Sequence, residues 1–209
     1  MHTLIAKPGW GSAIIEAEFE LAGLPLKIQD LDPTGSAADR ERLAHFNPLA
    51  QIPTLILPGG QVMTESAAMT LHLADLAPQA GLAPPAGDPA RPAFLRWLVF
   101  LVAEVYGSFA ISDHPDHWVS DPAAQAELLA RSSAYRQRLW RMMENAAGKG
   151  PWFLGSRFSA LDIYIWVMTR WNPRRDWFKV NCPRLHGIAL AGDSMPKLAK
   201  AMRRNFPSE

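Results

Sequence analysis

The chain is short of the residues that staple a protein together. Its one cysteine, Cys182, cannot form an internal disulfide. It lies between Asn181 and Pro183 with no company of Cys or His, so a structural zinc site has no ligand set. A reducing compartment is therefore permitted. Charge of either sign is also missing in excess. With 21 Lys and Arg against 20 Asp and Glu, there is no basic footprint for nucleic acid. The pairs Arg174-Arg175 and Arg203-Arg204 are isolated and read as solvated surface. No signal peptide is expected, because Lys7, Pro8 and Gly9 interrupt the first apolar run. No membrane span is expected either. The greasiest stretch, residues 94–111, contains Arg96 and Glu104 and reads as a buried helix. Repeats and low-complexity tracts are absent. A soluble, cytoplasmic, globular protein is what these absences leave.

What is present suits that class. Of the 209 residues, 48% are hydrophobic and 20% charged, enough to build one large core or two small ones. The first third alternates between extended and helical patterns. Residues 2–6 form a short apolar strand, broken by Pro8-Gly9. Residues 12–22 form a helix ended by Gly23 and Pro25. A second strand spans 26–31, a polar and helical segment 35–46, and a third strand 52–57. Pro58-Gly59-Gly60 turns the chain into a fourth strand at 61–63, and a helix covers 65–76. Strands alternating with helices imply parallel pairing, with an antiparallel edge from the final hairpin.

Residues 78–92, "PQAGLAPPAGDPARP", cannot continue a helix or a sheet and read as a linker. Everything after them looks helical. Residues 94–109 are apolar nearly all round and predict a central core helix. Asp121 before Pro122 predicts an N-cap for a helix running to about Asn145, with Leu128, Leu129, Tyr135, Leu139 and Met143 facing inward. "FSALD" places Ser159 three residues before Asp162, the spacing of a capping box. A last helix covers 196–204.

The stretch "QIPTLILPGGQVMTES" carries the sharpest question. Glu65 and Ser66 at a helix start can be capping chemistry without a ligand, and Pro53 is tolerated as the first residue of a strand. A different reading comes from the whole. A small mixed α/β domain, a proline linker and an all-helical domain, in that order, resemble the glutathione transferase superfamily. "NPLAQIPTLILPGGQVMTESAAMTLHLAD" resembles that family's glutathione-site signature, and "GPWFLGSRFSALDIYIWVM" resembles its C-terminal capping-box segment. The resemblance covers essentially the whole chain. It implies a thioredoxin-like α/β domain over residues 1–78, a linker over 79–92, and an all-α domain over 93–209 that forms a second-substrate cleft.

The resemblance also implies roles. Pro53 would be cis and turn the backbone of Ile52 toward the cysteinyl part of glutathione, which it would pair like an added strand. Gln51 would help hold the peptide. Glu65 would accept from the γ-glutamyl ammonium, and Ser66, at a helix N-terminus, would bind its carboxylate. Glutathione would be a cosubstrate, the electrophile small and apolar, no metal required, and the protein a homodimer. Transferase chemistry needs a thiolate, whereas a free thiol has a pKa of about 8.5. The region that usually carries the helper residue, "AKPGWGSAIIEA", has no tyrosine. Laid over the P-G-x-C-S pattern of the bacterial beta-like branch, it has Gly11 where the cysteine would stand. Ser12 is left as a thiolate donor or a plain helix cap. "AEVYGSF" resembles that branch's E-x-H-x-x-F, with Tyr106 at the histidine position, as a helper or wall of the site or as a core residue. Trp10 is a candidate wall for the second substrate, and Lys7 a solvated neighbour. His114 and His117 in "SDHPDHW" have a metal-like spacing, but Pro115 favours a loop. Gly11 and the missing tyrosine keep a second reading open: a glutathione-binding or scaffold protein without chemistry.

Overall fold

In the computed structural model, which describes residues 1–207, the first apolar run forms strand β1 (His2–Ala6), buried at four of its five positions. Strand β2 (Leu26–Asp30) pairs with it in parallel, from His2 opposite Leu26 to Ala6 opposite Asp30. On the other side β3 (Thr54–Ile56) runs antiparallel, with Ile5 opposite Thr54, and β4 (Val62–Met63) completes a sheet of order β2-β1-β3-β4. Parallel pairing thus holds for β1 with β2 and fails for β3. The register gives the reason. β2 ends beside Ala6 and β3 starts beside Ile5, so helix α2 (Ala37–Phe46) stays at one end of the sheet instead of carrying the chain back across it.

Helix α1 (Ser12–Ala22) is buried at ten of its eleven positions and stops at Gly23, whose φ of 67° is the left-handed conformation that a C-cap needs. It packs against α3 (Ser66–Leu76). Between them lies a fully buried carboxyl: Thr70 Oγ1 donates to Glu18 at 2.7 Å. The chain divides into two compact units, Met1–Pro85 with everything from Gly192 onward, and Ala86–Ala191. The last helix, α10 (Ala199–Asn205), therefore counts with the first unit, whereas the sequence placed it in the helical domain.

The second unit holds α4 (Arg91–Phe100), a π-helical turn over Leu101–Tyr106, α5 (Gly107–Asp113), α6 (Pro122–Ala146), α7 (Ala160–Met168), α8 (Arg175–Asn181) and most of α9 (Pro183–Asp193). The expected central helix of residues 94–109 is not the central one. It is broken by the π turn and leaves Val99 58% exposed. By length and composition alone, Arg91–Asp113 would suffice to cross a membrane. The centre belongs to α7, all nine of whose residues are buried. Its capping box is complete: Asp162 accepts from the Ser159 N–H at 2.8 Å and also from the Phe153 N–H at 2.7 Å. On α6 the inward stripe is Ser132, Arg136, Leu139, Trp140 and Met143, so Leu129 and Tyr135 face outward. The shift follows from Arg136, whose buried guanidinium reaches Ser108 and Ser112.

Two buried carboxyls set testable behaviour. Burial pushes the Glu18 carboxyl from its usual 4.5 up to about 8, against the lowering effect of the Thr70 hydrogen bond. Between those pH values the folded state binds the extra proton, so stability falls as pH rises through this window. Glu18→Gln should remove that slope and raise Tm most at pH 8; an unchanged slope in thermal melts from pH 5 to 8 would count against it. Asp162→Ala strips two buried N–H groups of their acceptor and should cost about 3 kcal/mol in urea unfolding.

Candidate functional site

Three loops leave the sheet at the end where β1 finishes. Ile5 opposite Thr54 places the start of β3 beside the end of β1. Leu55 opposite Met63 pairs β3 with β4, so the segment entering β3, with Ile52 and Pro53, and the segment leaving β4, with Glu65 and Ser66, lie at that same end. Residues far apart in sequence thus converge because one antiparallel register demands it.

The first loop is braced from beneath. Asn47, the C-cap of α2 and 3% exposed, donates through Nδ2 to the Gln51 carbonyl at 3.0 Å. Thr54 Oγ1 donates to the same carbonyl at 2.8 Å. The Ile52 side chain is buried with Ile5, Leu31 and Leu43. The Ile52–Pro53 peptide bond is cis. With its side chain anchored, Ile52 keeps its N–H and C=O free of hydrogen bonds to the described residues. The Gln51 side chain is exposed.

The second loop is the entry to α3. Glu65 has φ 65°, in the left-handed region that costs a residue with a Cβ about 1–3 kcal/mol. It occupies the N-cap position but makes no side-chain cap, and its carboxylate is exposed. Ser66, 8% exposed, makes no side-chain hydrogen bond to the described residues. Plain capping therefore does not account for either side chain.

The third loop joins β1 to α1. Ser12 is fully buried and its hydroxyl is occupied twice: it donates to the Lys7 carbonyl at 3.0 Å and accepts from the Lys7 N–H at 3.1 Å. A hydroxyl has a single proton, so Ser12 closes its own loop and has none left for a thiolate in this arrangement. Of the two roles the sequence left open for Ser12, this arrangement is the structural one. The backbone N–H groups of Gly11 and Ser12, at the amino end of α1, find no acceptor among the described residues. Lys7 is not merely solvated. Its Nζ pairs with Asp32 at 2.6 Å, donates to Thr34 and sits 4.4 Å from the centroid of the Trp10 ring. The Lys7 hydrogen bond is the main force holding the Asp32 carboxyl down at about 2. Trp10 is 36% exposed beside this pair.

Tyr106 belongs to the second unit. It is half-buried in the π turn, and its ring lies 5.3 Å from Trp171 and 6.5 Å from Phe109. The Arg136 guanidinium covers Phe109 at 3.7 Å. His114, Asp116 and His117 form an exposed cluster whose ligand atoms lie within 4.8 Å of one another, with the two imidazoles stacked at 11°. Burial, helped by Glu144, pushes the Cys182 thiol up to about 12, which makes it inert.

The glutathione S-transferase N-terminal domain family matches residues 15–76. The uncharacterized GST-like protein YncG of Escherichia coli K12 is 37% identical over 199 residues, covering 95% of each chain. The chain belongs to the glutathione S-transferase superfamily. A glutathione transferase structure from Methylococcus capsulatus is 28% identical, covers 97% of this chain and 98% of its own, and superposes with a TM-score of 0.71. A glutathione transferase homolog from Sulfitobacter, solved with bound glutathione, shares the fold with a TM-score of 0.81 at 23% identity, covering 96% of both chains. This superfamily member thus has a thioredoxin-like first unit and a helical second one.

Sequence reasoning missed the supports. Asn47 and Thr54 flank the recognised turn, and a polar pair around Gln51-Ile52-Pro53 was the available signal. Ser12→Ala should cost about 1–2 kcal/mol by opening the Lys7–Ser12 loop. Urea unfolding reads this, and an unaffected midpoint would show that the loop does not depend on the hydroxyl.

Proposed function

We propose that this superfamily member binds glutathione at the open end of the sheet and transfers its thiolate to a small apolar electrophile. One observation carries the reading: the Ile52 backbone, unpaired among the described residues, enters the β3–β4 pair at the end where Glu65 and Ser66 leave it without side-chain caps. In this reading the N–H and C=O of Ile52 pair with the cysteinyl backbone, as in strand addition. Gln51 steadies the peptide, and Pro53 sets the direction of the turn. Glu65 accepts from the γ-glutamyl ammonium. The Ser66 hydroxyl and the amino end of α3 donate to its carboxylate. The peptide thiolate then lies toward the amino end of α1, where the Gly11 and Ser12 N–H groups stabilise the anion. Its sulfur attacks an electrophilic carbon, the carbon–sulfur bond forms, and the leaving group departs with its electron pair. Trp10 offers an apolar wall to the electrophile. The working form in this reading is a homodimer, and no metal takes part.

A non-catalytic glutathione-binding role has one observation in its favour. The only hydroxyl in the α1 loop is consumed by Lys7, so activation rests on backbone donors alone. Robust binding without turnover over a varied panel of electrophiles would select that role.

The test is retention on immobilised glutathione together with conjugation to a chloronitrobenzene. The Glu65→Ala, Ser66→Ala double variant should bind about a hundredfold more weakly, a loss of about 2.7 kcal/mol. Unchanged retention by the double variant removes this site assignment.

A further inference from the structure

The C-terminal helix reaches back to the loop that bears the open N–H groups. Asn205, the last residue of α10, is 5% exposed, and its amide is fully engaged. Oδ1 accepts from the Gly9 N–H at 3.1 Å. Nδ2 donates to Glu16 Oε2 at 3.0 Å and to the Ala201 carbonyl at 3.0 Å. A flipped amide would turn its NH2 toward the Gly9 donor and its oxygen toward two acceptors, so the partners fix its orientation.

Glu16 lies one helical turn beyond Ser12 on α1 and is itself buried. Its Oε2 also accepts from Arg204 Nε at 2.9 Å, and Arg204 Nη2 reaches on to Asp30. A continuous chain of bonds therefore runs from α10 to both sides of the Gly9–Gly11 loop. One side is held at Gly9 and the other through Glu16 on α1. Gly9 has φ 78°, a conformation open to glycine and strained for other residues, so the loop has no side chain of its own there to hold it. Its anchor comes from 196 residues away.

We propose that Asn205 is a positioning residue: it holds the Gly9–Gly11 loop so that the Gly11 and Ser12 N–H groups stay aimed at the bound thiolate. This rests on the glutathione reading above. Fixed donors stabilise an anion because they need no reorganisation as charge develops, and a loosened loop loses that advantage. Asn205 does this without touching the ligand.

The test compares Asn205→Asp with the parent protein. The variant keeps the shape but sets an oxygen against Glu16 Oε2 and the Ala201 carbonyl. The ultraviolet thiolate absorbance of bound glutathione, followed against pH, should show a thiol pKa about one unit higher, a tenfold change in the ionisation equilibrium. The kcat for chloronitrobenzene should fall with little change in KM. Without ligand, amide exchange over Gly9–Ser12 should quicken. Glu16→Leu should reproduce these shifts and Glu16→Gln restore most of the parent behaviour, since glutamine keeps an oxygen acceptor for Asn205. Thr70→Val, which weakens the α1–α3 contact elsewhere, should lower Tm without moving the thiol titration. An unmoved titration and unmoved exchange in Asn205→Asp overturn the proposal, as does an equal shift in Thr70→Val. Should Asn205→Asp fail to fold, Asn205→Ala and Glu16→Leu carry the same comparison. Failure of the parent protein to bind glutathione overturns the proposed function instead, and the exchange comparison still decides the clamp.

Discussion

The antiparallel register between β1, β3 and β4 is the constraint on which the candidate site depends. It sets Ile5 beside Thr54 and Leu55 beside Met63. Three loops then have no choice but to emerge at one end of the sheet. A slip of one residue would turn Ile52 out of the cluster it shares with Ile5, Leu31 and Leu43. Burial of that one side chain therefore does double service. It fixes the register and leaves the Ile52 backbone polar groups unpaired among the described residues.

The loops themselves are held by polar groups that the protein has taken out of water. Asn47 and Thr54 secure Gln51 from beneath. Ser12 closes the Lys7 loop, and Asn205 holds Gly9. Each is a buried hydrogen-bonding side chain that would be costly if left unpaired. By contrast, the Ile52 N–H and C=O and the Gly11 and Ser12 N–H groups, at the same end of the sheet, have no partner among the described residues. This division of labour is what a preorganised binding surface needs: rigid support below, open donors and acceptors above. The second unit shows the same economy in its core, where Asp162 ties the start of α7 to Phe153 and Arg136 ties α6 to Ser108.

Ser12 illustrates how one residue type can serve two roles. A serine at the start of a helix, in a loop without tyrosine, is a reasonable thiolate donor by chemistry. Its hydroxyl proton is spent on a carbonyl five residues earlier. Nothing in the spelling of "AKPGWGS" distinguishes those two uses, because they differ only in a torsion and a burial. The helix of residues 94–109 is a similar case. Its composition suits a core, yet the all-buried place is taken by α7, whose run of apolar residues is unbroken after Asp162.

By itself the sequence determined everything that rests on short-range pattern. The bounds of α1, the Gly23 stop, the Asp121 cap, the Ser159–Asp162 box and the strand–turn–strand around Gly59-Gly60 all follow from neighbours a few residues apart. The resemblance carried by its motifs also singled out Gln51, Ile52, Pro53, Glu65 and Ser66 as candidates. Tertiary structure alone decided the direction of β3, the inward face of α6, the strained backbone of Glu65 and the partners of Ser12 and Asn205. Those depend on where distant segments are brought to rest. A hydrogen bond satisfied across 196 residues leaves no mark in local periodicity.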